Sequence, residues 1–194
     1  PCQSSAASDV YKRQASSSPR RQAMIKSLGK NINVIEMRGN INTRLKKLKN
    51  SNIDGIILAK AGLRRMEMDS LITQNLSVES FVPSPGQGVL CIECLSQHSE
   101  IMRKIKKIVH VNTEICVSAE RIFAAQMDGD CMSPIGAHAT IQKDLISITG
   151  FVATADGTRF MRNKIEGNKN NYKDLSTKLS NLFIKMGSKG MLGC

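Results

Sequence analysis

Apolar positions along the chain fall into spaced stripes and short continuous runs, and the two spacings predict two successive layers of structure. Small hydroxyl residues and a proline, Ser16-Ser17-Ser18-Pro19, open a helix that runs to Leu28 and stops at Gly29. Asn33 to Met37 reads as a short strand, Arg38 to Arg44 turns into a helix ending near Asn50, and Ile53 to Ala59 is an apolar run of buried parallel-strand type. Strand, helix and strand in that rhythm indicate an α/β layer. The Pro- and Gly-rich stretch Val82-Pro83-Ser84-Pro85-Gly86-Gln87-Gly88 suits neither regular structure and reads as a crossing or hinge, followed by a strand over Val89 to Cys94.

Beyond Ser99 the period becomes helical, with Ile101, Ile105, Ile108 and Val109 on one face and Arg103, Lys104, Lys106 and Lys107 mostly off it. A second helix, roughly Thr113 to Met127, aligns Ile115, Ala119, Ile122, Phe123 and Met127. Strand-like segments cover Ala137 to Ile141, Leu145 to Thr154 and Thr158 to Ile165, with turn signals at Lys143-Asp144 and Asp156-Gly157. The last helix places Tyr172, Leu175, Leu179, Leu182, Phe183 and Met186 on one stripe, with Asn171 and Asp174 set as a cap pair. These elements make a small α+β domain.

Residues 1–14 show no persuasive period, and Asp9-Val10-Tyr11-Lys12-Arg13-Gln14 looks like the translation of a transposase-end sequencing adaptor. Such a library scar is set aside from fold reasoning, Cys2 and Tyr11 with it, and implies a reading frame that opens in mid-gene. The 194 residues can bury one sizeable core or two small ones. A net charge of +12 with five Phe, two Tyr and no Trp points to an anionic partner, with a basic solvated surface as the plain alternative. The charge suits nucleic acid, but the chain lacks interleaved aromatics for stacking and any zinc-finger spacing. Six cysteines without an evident secretory signal fit reduced thiols in a cytosol, and no apolar run approaches the roughly 18 residues of a membrane span.

Candidate chemistry gathers at Met127-Asp128-Gly129-Asp130-Cys131-Met132-Ser133-Pro134-Ile135-Gly136, where glycine and proline bound a turn that can display a thiol. The alternative is a buried loop cysteine acting as a small apolar residue. Asp128 and Asp130 should raise the thiol pKa, tolerable for an anchor alkylated once and a handicap for a nucleophile used in every turnover. Cys91 and Cys94 form a C-x-x-C, but a spacing of three along a strand sends them to opposite faces, and no second pair exists to complete a metal site. His98, His110 and His138 have no spacing that would collect a metal or a catalytic pair. No Walker-type glycine loop or Ser-His-Asp arrangement can be assembled.

Four motifs, in order, resemble those of the porphobilinogen deaminase (hydroxymethylbilane synthase) family: Ser16-Ser17-Ser18-Pro19-Arg20-Arg21, Arg38-Gly39-Asn40-Ile41-Asn42-Thr43-Arg44, Pro83-Ser84-Pro85-Gly86-Gln87-Gly88, and Ala119-Glu120-Arg121 leading to the Cys131 loop. Asp130 stands where the family's loop has a second glycine. The resemblance implies an α/β and α+β fold: a partial periplasmic-binding-protein-like α/β domain followed by a small α+β C-terminal domain. Residues 15–88 would be most of the family's second α/β domain, 89–105 a crossing segment belonging to an absent first domain, and 106–194 the domain that carries the cofactor cysteine.

It further implies a transferase of tetrapyrrole (heme and chlorophyll) biosynthesis that condenses four porphobilinogen units head to tail into hydroxymethylbilane, releasing ammonia at each step. Cys131 would hold a dipyrromethane cofactor through a thioether. Ser17, Ser18, Arg20, Arg21, Arg38 and Arg44 would bind the cofactor, and Arg20, Arg21, Arg38, Arg44 and Arg65 the carboxylates of porphobilinogen and the growing polypyrrole; no metal is expected. A growing chain of acetates and propionates accumulates negative charge that a cluster of cationic donors can hold. The azafulvene cation formed on loss of ammonia needs a carboxylate, which the family places in its amino-terminal domain, and no Asp here matches it. The expectation is therefore a fragment inactive by itself, from a cytoplasmic enzyme, monomeric when complete, that binds no nucleic acid and no membrane. A basic nucleic-acid-binding module and a non-catalytic anion-binding remnant stand as alternatives.

Overall fold

A computed structural model describes residues 12–28, 32–128 and 133–192. The first unit is a three-stranded parallel sheet of order β2-β1-β3, formed by β1 (Lys12–Ala15), β2 (Ile32–Ile35) and β3 (Gly55–Ile56). Helices α1 (Pro19–Leu28), α2 (Ile41–Asn50) and α3 (Lys60–Arg65) connect or follow the strands. The Ser18 side chain accepts the amide of Arg21 at 3.5 Å at the start of α1, and Asn40 caps α2 by accepting the Thr43 amide at 2.9 Å.

Lys12, Arg13 and Gln14 were set aside with the scar, yet they form the central strand. Ladder pairing engages backbone atoms, so a polar sequence with an exposed Lys12 can still serve as the middle of a sheet. Arg13 adds a specific tie: its amide donates to Asp54 Oδ2 at 2.6 Å, and its carbonyl accepts the Asp54 amide at 2.9 Å. The predicted strand over Ile53 to Ala59 shrinks to Gly55–Ile56, because only this short stretch has a partner, on β1.

The second unit is an antiparallel sheet, β4 (Ile135–Gln142), β5 (Leu145–Ala153) and β6 (Phe160–Asn168) in that order. Helices α5 (Val111–Gln126) and α6 (Tyr172–Lys185) cover it, and α7 (Ser188–Leu192) follows. Phe123 and Phe183 meet edge to face with centroids 5.0 Å apart, among Ala119, Met127, Ile146, Ile148, Val152 and Leu179. Burying each large side chain contributes about 1.5–3 kcal/mol. Gly150 lies beneath the Phe123 ring, where a Cβ would come within 2.5 Å of Cζ. The predicted Asn171–Asp174 cap pair is not formed. Asn171 occupies the N-cap without a side-chain bond, while Asn168 accepts the Asn170 amide one turn earlier.

Between the units, α4 (Ser99–Lys106) buries no residue, with Ile105 alone half-covered, and Val89 to Cys94 is not the predicted strand. No strand among the described residues pairs with it, so its apolar side chains stay in solvent, Leu90 at 77% exposure and Ile92 at 57%. The units share a core all the same. Ala23, Met24 and Ile25 of α1 pack with Phe81 and Val82 of the crossing and with Phe151 and Ala153 from the far end of β5. The turn after β5 closes on α1, where a Cβ on Gly157 would lie 3.0 Å from the Ala23 backbone. Among the described residues no helix is long and apolar enough to cross a membrane.

Candidate functional site

The start of α1, the β2–α2 connection, the end of the β3 strand and the crossing segment meet around a cavity of about 260 Å³. Arg21, Gly39, Asn40, Ile41, Arg44, Leu58, Ala59 and Gln87 line it. Pro19 at the first turn and the Ser18 cap fix the α1 start, so Arg21 projects toward β3, where Nη1 donates to the Ile57 carbonyl at 3.0 Å. Arg44, one turn into α2, donates from Nε to the Gly39 carbonyl at 2.7 Å and from Nη2 to Ser17 Oγ at 3.2 Å. Burial, and then the neighbouring Arg44 charge, lowers the Arg21 pKa from its ordinary value. Two guanidinium groups held together without a carboxylate between them favour an anion.

The expected cluster of arginines is only partly assembled. Arg20 turns the other way from Arg21: it is 4% exposed, and its Nη1 donates to the Val82 carbonyl at 2.5 Å and lies 4.0 Å from Met24 Sδ. Burial, followed by the Arg21 charge, pulls its pKa down to about 10. Successive residues on a helix are turned by about 100°, and here that step sends Arg20 to Val82 and Arg21 to Ile57. Arg38 lies outside it with its side chain 82% exposed, donating to Glu36 Oε1 at 2.7 Å. Arg65 is exposed in the last turn of α3 and does not line the cavity. Ser17 reaches the cluster through Arg44, and Ser18 serves as the helix cap.

Cys131 lies outside the described residues, together with Gly129, Asp130 and Met132. Its flanks are described. Asp128 pairs with Lys189 Nζ at 2.7 Å, which offsets one of the two carboxylates expected to burden the thiol. On the other side the Pro134 carbonyl accepts the Ala153 amide at 3.1 Å. Cys91, Cys94 and Cys116 are free thiols. Burial, and secondarily Glu120, pushes the Cys116 thiol up. Among the described residues no group of three or more His, Cys, Asp or Glu side chains is placed to hold a metal. His138 sits 3.6 Å from Glu120, and His110 caps α5 by accepting the Thr113 amide.

Two residues of this region were not singled out by sequence. Gln87 lines the cavity from the crossing. Glu120, 5% exposed, accepts the Gly86 amide through Oε2 at 2.6 Å and the Ala139 amide through Oε1 at 2.8 Å. Its signal was present: Cys116, Glu120, Phe123 and Met127 share one helical face, and a carboxylate in an apolar stripe demands buried donors. The crossing is thus pinned on both sides. Ala137 donates its amide to the Pro83 carbonyl at 3.0 Å, and Gly136 packs so closely that a Cβ would stand 3.0 Å from the Val82 carbonyl oxygen.

An arginine-lined cavity on a parallel-sheet unit is thus coupled to an α+β unit. The chain belongs to the porphobilinogen deaminase family: residues 4–103 match the family's "Porphobilinogen deaminase, dipyromethane cofactor binding domain", and residues 114–185 match "Porphobilinogen deaminase, C-terminal domain". The chain is 40% identical over 169 residues to the porphobilinogen deaminase of Clostridium botulinum (strain Kyoto / Type A2), covering 87% of this chain and 57% of that protein. The enzymes of that name from Alkaliphilus metalliredigens and Pelotomaculum thermopropionicum are 38% and 36% identical, each over 91% of this chain and 56% of theirs. The chain therefore spans a little over half the length of these relatives.

Proposed function

We propose that this chain is the carboxylate-holding and cofactor-bearing part of a hydroxymethylbilane synthase, which joins four porphobilinogen units head to tail with release of ammonia. The observation that carries this reading is the pairing of Arg21 and Arg44 in one cavity with no acid among its described lining residues. Planar forks of that kind take carboxylates in two parallel hydrogen bonds, and acetate and propionate substituents supply them. The donor set fits a polycarboxylate such as a dipyrromethane, with Arg21 and Arg44 holding its side chains and Ser17 steadying Arg44. When bound through Cys131, that group supplies the free pyrrole carbon to which units are added. Arg20, Arg38, Ser18 and Arg65 enter this reading as supports of the cavity's frame or as surface residues. The complete enzyme is proposed to be a cytoplasmic monomer acting on porphobilinogen and polypyrrole and not on nucleic acid. The 194-residue chain alone is proposed to be inactive, since the carboxylate for the azafulvene cation has no match in it.

Intact-mass analysis and turnover of a completed enzyme test this, for example a chimera supplied with the amino-terminal part of the Clostridium botulinum relative. A dipyrromethane adduct should be found that vanishes in Cys131→Ser and persists in Cys91→Ser, Cys94→Ser and Cys116→Ser. A serine hydroxyl is far less nucleophilic than a thiolate near neutral pH, so it should not inherit the adduct. Turnover of porphobilinogen by an unmodified chain sinks the assignment of Cys131. Condensation by the 194 residues alone sinks the assignment of fragment inactivity.

A further inference from the structure

We propose that Gln87 is a ligand-binding residue of the arginine cavity, donating its amide N–H to a substrate or cofactor carboxylate, and that Glu120 is its positioning residue, acting through Gly86. The inference rests on the carboxylate reading of the cavity given above. It starts from the polar side chains that line the cavity. Arg21 and Arg44 can only donate, and after their bonds to Ile57, Gly39 and Ser17 each fork keeps further N–H groups without a partner among the described residues. The two amides are polarised the same way. Asn40 Oδ1 is occupied by the amide and hydroxyl of Thr43, each at 2.9 Å, and Gln87 Oε1 accepts the Ser84 hydroxyl at 3.3 Å. Both NH2 groups are left to donate, so all four described polar side chains lining the cavity offer hydrogens, and the complementary ligand offers acceptors.

Gln87 comes from the crossing and not from the unit that holds the arginines, so its place has to be set from elsewhere. The preceding residue, Gly86, has φ +70°, a conformation that L side chains rarely adopt, and its amide is taken by Glu120 at 2.6 Å. The other oxygen of Glu120 takes the Ala139 amide of β4. One buried carboxylate thus ties Gly86, the residue before Gln87, to the antiparallel unit, and so couples the two units at the ligand. Replacing it with glutamine leaves one accepting oxygen and turns an NH2 group toward the second backbone N–H, releasing one of the two ties.

Steady-state kinetics with porphobilinogen in the full-length protein, together with the fraction of chains carrying the adduct, provide the test. Gln87→Ala should raise KM or lower adduct occupancy about tenfold with kcat changed less than twofold, and Gln87→Glu should lose more, because it puts an acceptor and a like charge against the ligand. Glu120→Gln should lose severalfold in the same quantity, and the double variant should be no worse than Gln87→Ala alone, since the two residues act on one contact. Multiplying losses mean that Glu120 is only a packing residue and overturn the positioning half; the Gln87 variants, on an exposed loop, test the ligand half even if Glu120→Gln fails to fold. Unchanged kinetics and occupancy in Gln87→Ala, with clear losses in Arg44→Ala, overturn the inference and leave the arginine cavity standing. No loss in Arg44→Ala overturns both.

Discussion

The two units differ in what their sequence is devoted to. The antiparallel unit buries eleven residues in one cluster around Phe123 and Phe183. In the parallel unit α2 buries no residue at all, and the contribution of α1 to a core is completed by Phe151 and Ala153 of the other unit. The half that holds the cavity is therefore the half that cannot close its own core. Stability resides on one side and the proposed ligand donors on the other, and the crossing at 81–86 is where they are joined. Such a division leaves the arginines free to be chosen for charge and geometry, because packing does not depend on most of them.

The contrast is easiest to break with truncations of equal kind on each side. Phe123→Ala should cost about 3–5 kcal/mol in denaturant unfolding, whereas Leu45→Ala on half-buried α2 should cost no more than about 1 kcal/mol. Similar losses would mean that the parallel unit has a core of its own. Next in size comes Arg20→Ala, at about 2–4 kcal/mol, because it strips a buried carbonyl of its donor and opens space between the units. That loss should appear as destabilisation of the whole chain. If Arg20→Ala instead weakens ligand binding and leaves the unfolding midpoint unmoved, the residue belongs to the cavity after all.

A smaller effect is expected from the turn that docks on α1. Asp156 accepts from the Thr154 hydroxyl at 2.5 Å and from the Thr158 amide at 3.0 Å, and these bonds, that of Thr154 first, hold its carboxyl at about 2. A depressed carboxylate pKa stabilises the fold above the ordinary value of 3.8, and that contribution fades as pH falls toward 2. The difference in unfolding midpoint between the unmodified chain and Asp156→Asn should therefore shrink across that window, and a difference constant from pH 5 to 2 refutes the assignment. Smallest of all, Leu90→Ser and Ile92→Ser should change stability by less than about 0.5 kcal/mol, since both side chains already stand in solvent.

Much of the antiparallel unit was legible because its signals are local. Strand-like runs marked all three strands, Lys143-Asp144 and Asp156-Gly157 marked both turns, and the stripe of α5 gave its buried face. On α6 the stripe was only partly right: Leu179 and Phe183 are buried, but Leu182 and Met186 are exposed, and Ser176 and Ser180 take buried places instead. The parallel unit was read less well, as its strands depend on partners and not on pattern. Lys12 to Gln14 pair without any apolar period, and Val89 to Cys94 has the period without a partner. At the site, motifs named Arg21 and Arg44, which the structure brings into one cavity, but could not tell which of two adjacent arginines lines it. Glu120 was quoted as part of a motif, and its role was invisible until the crossing was seen to lie against β4.

The shared cluster also sets an order of events as the chain folds. Ala23 and Met24 must wait for Phe151 and Ala153, some ~130 residues later, before their apolar face is covered, and closing so long a loop is entropically slow to be repaid. A ribosome would release the arginine-bearing half long before its cover exists. That half should remain a client for chaperones until the hairpin of β5 and β6 arrives, and refolding should show protection of β4, β5 and β6 amides ahead of those in β1 and β2.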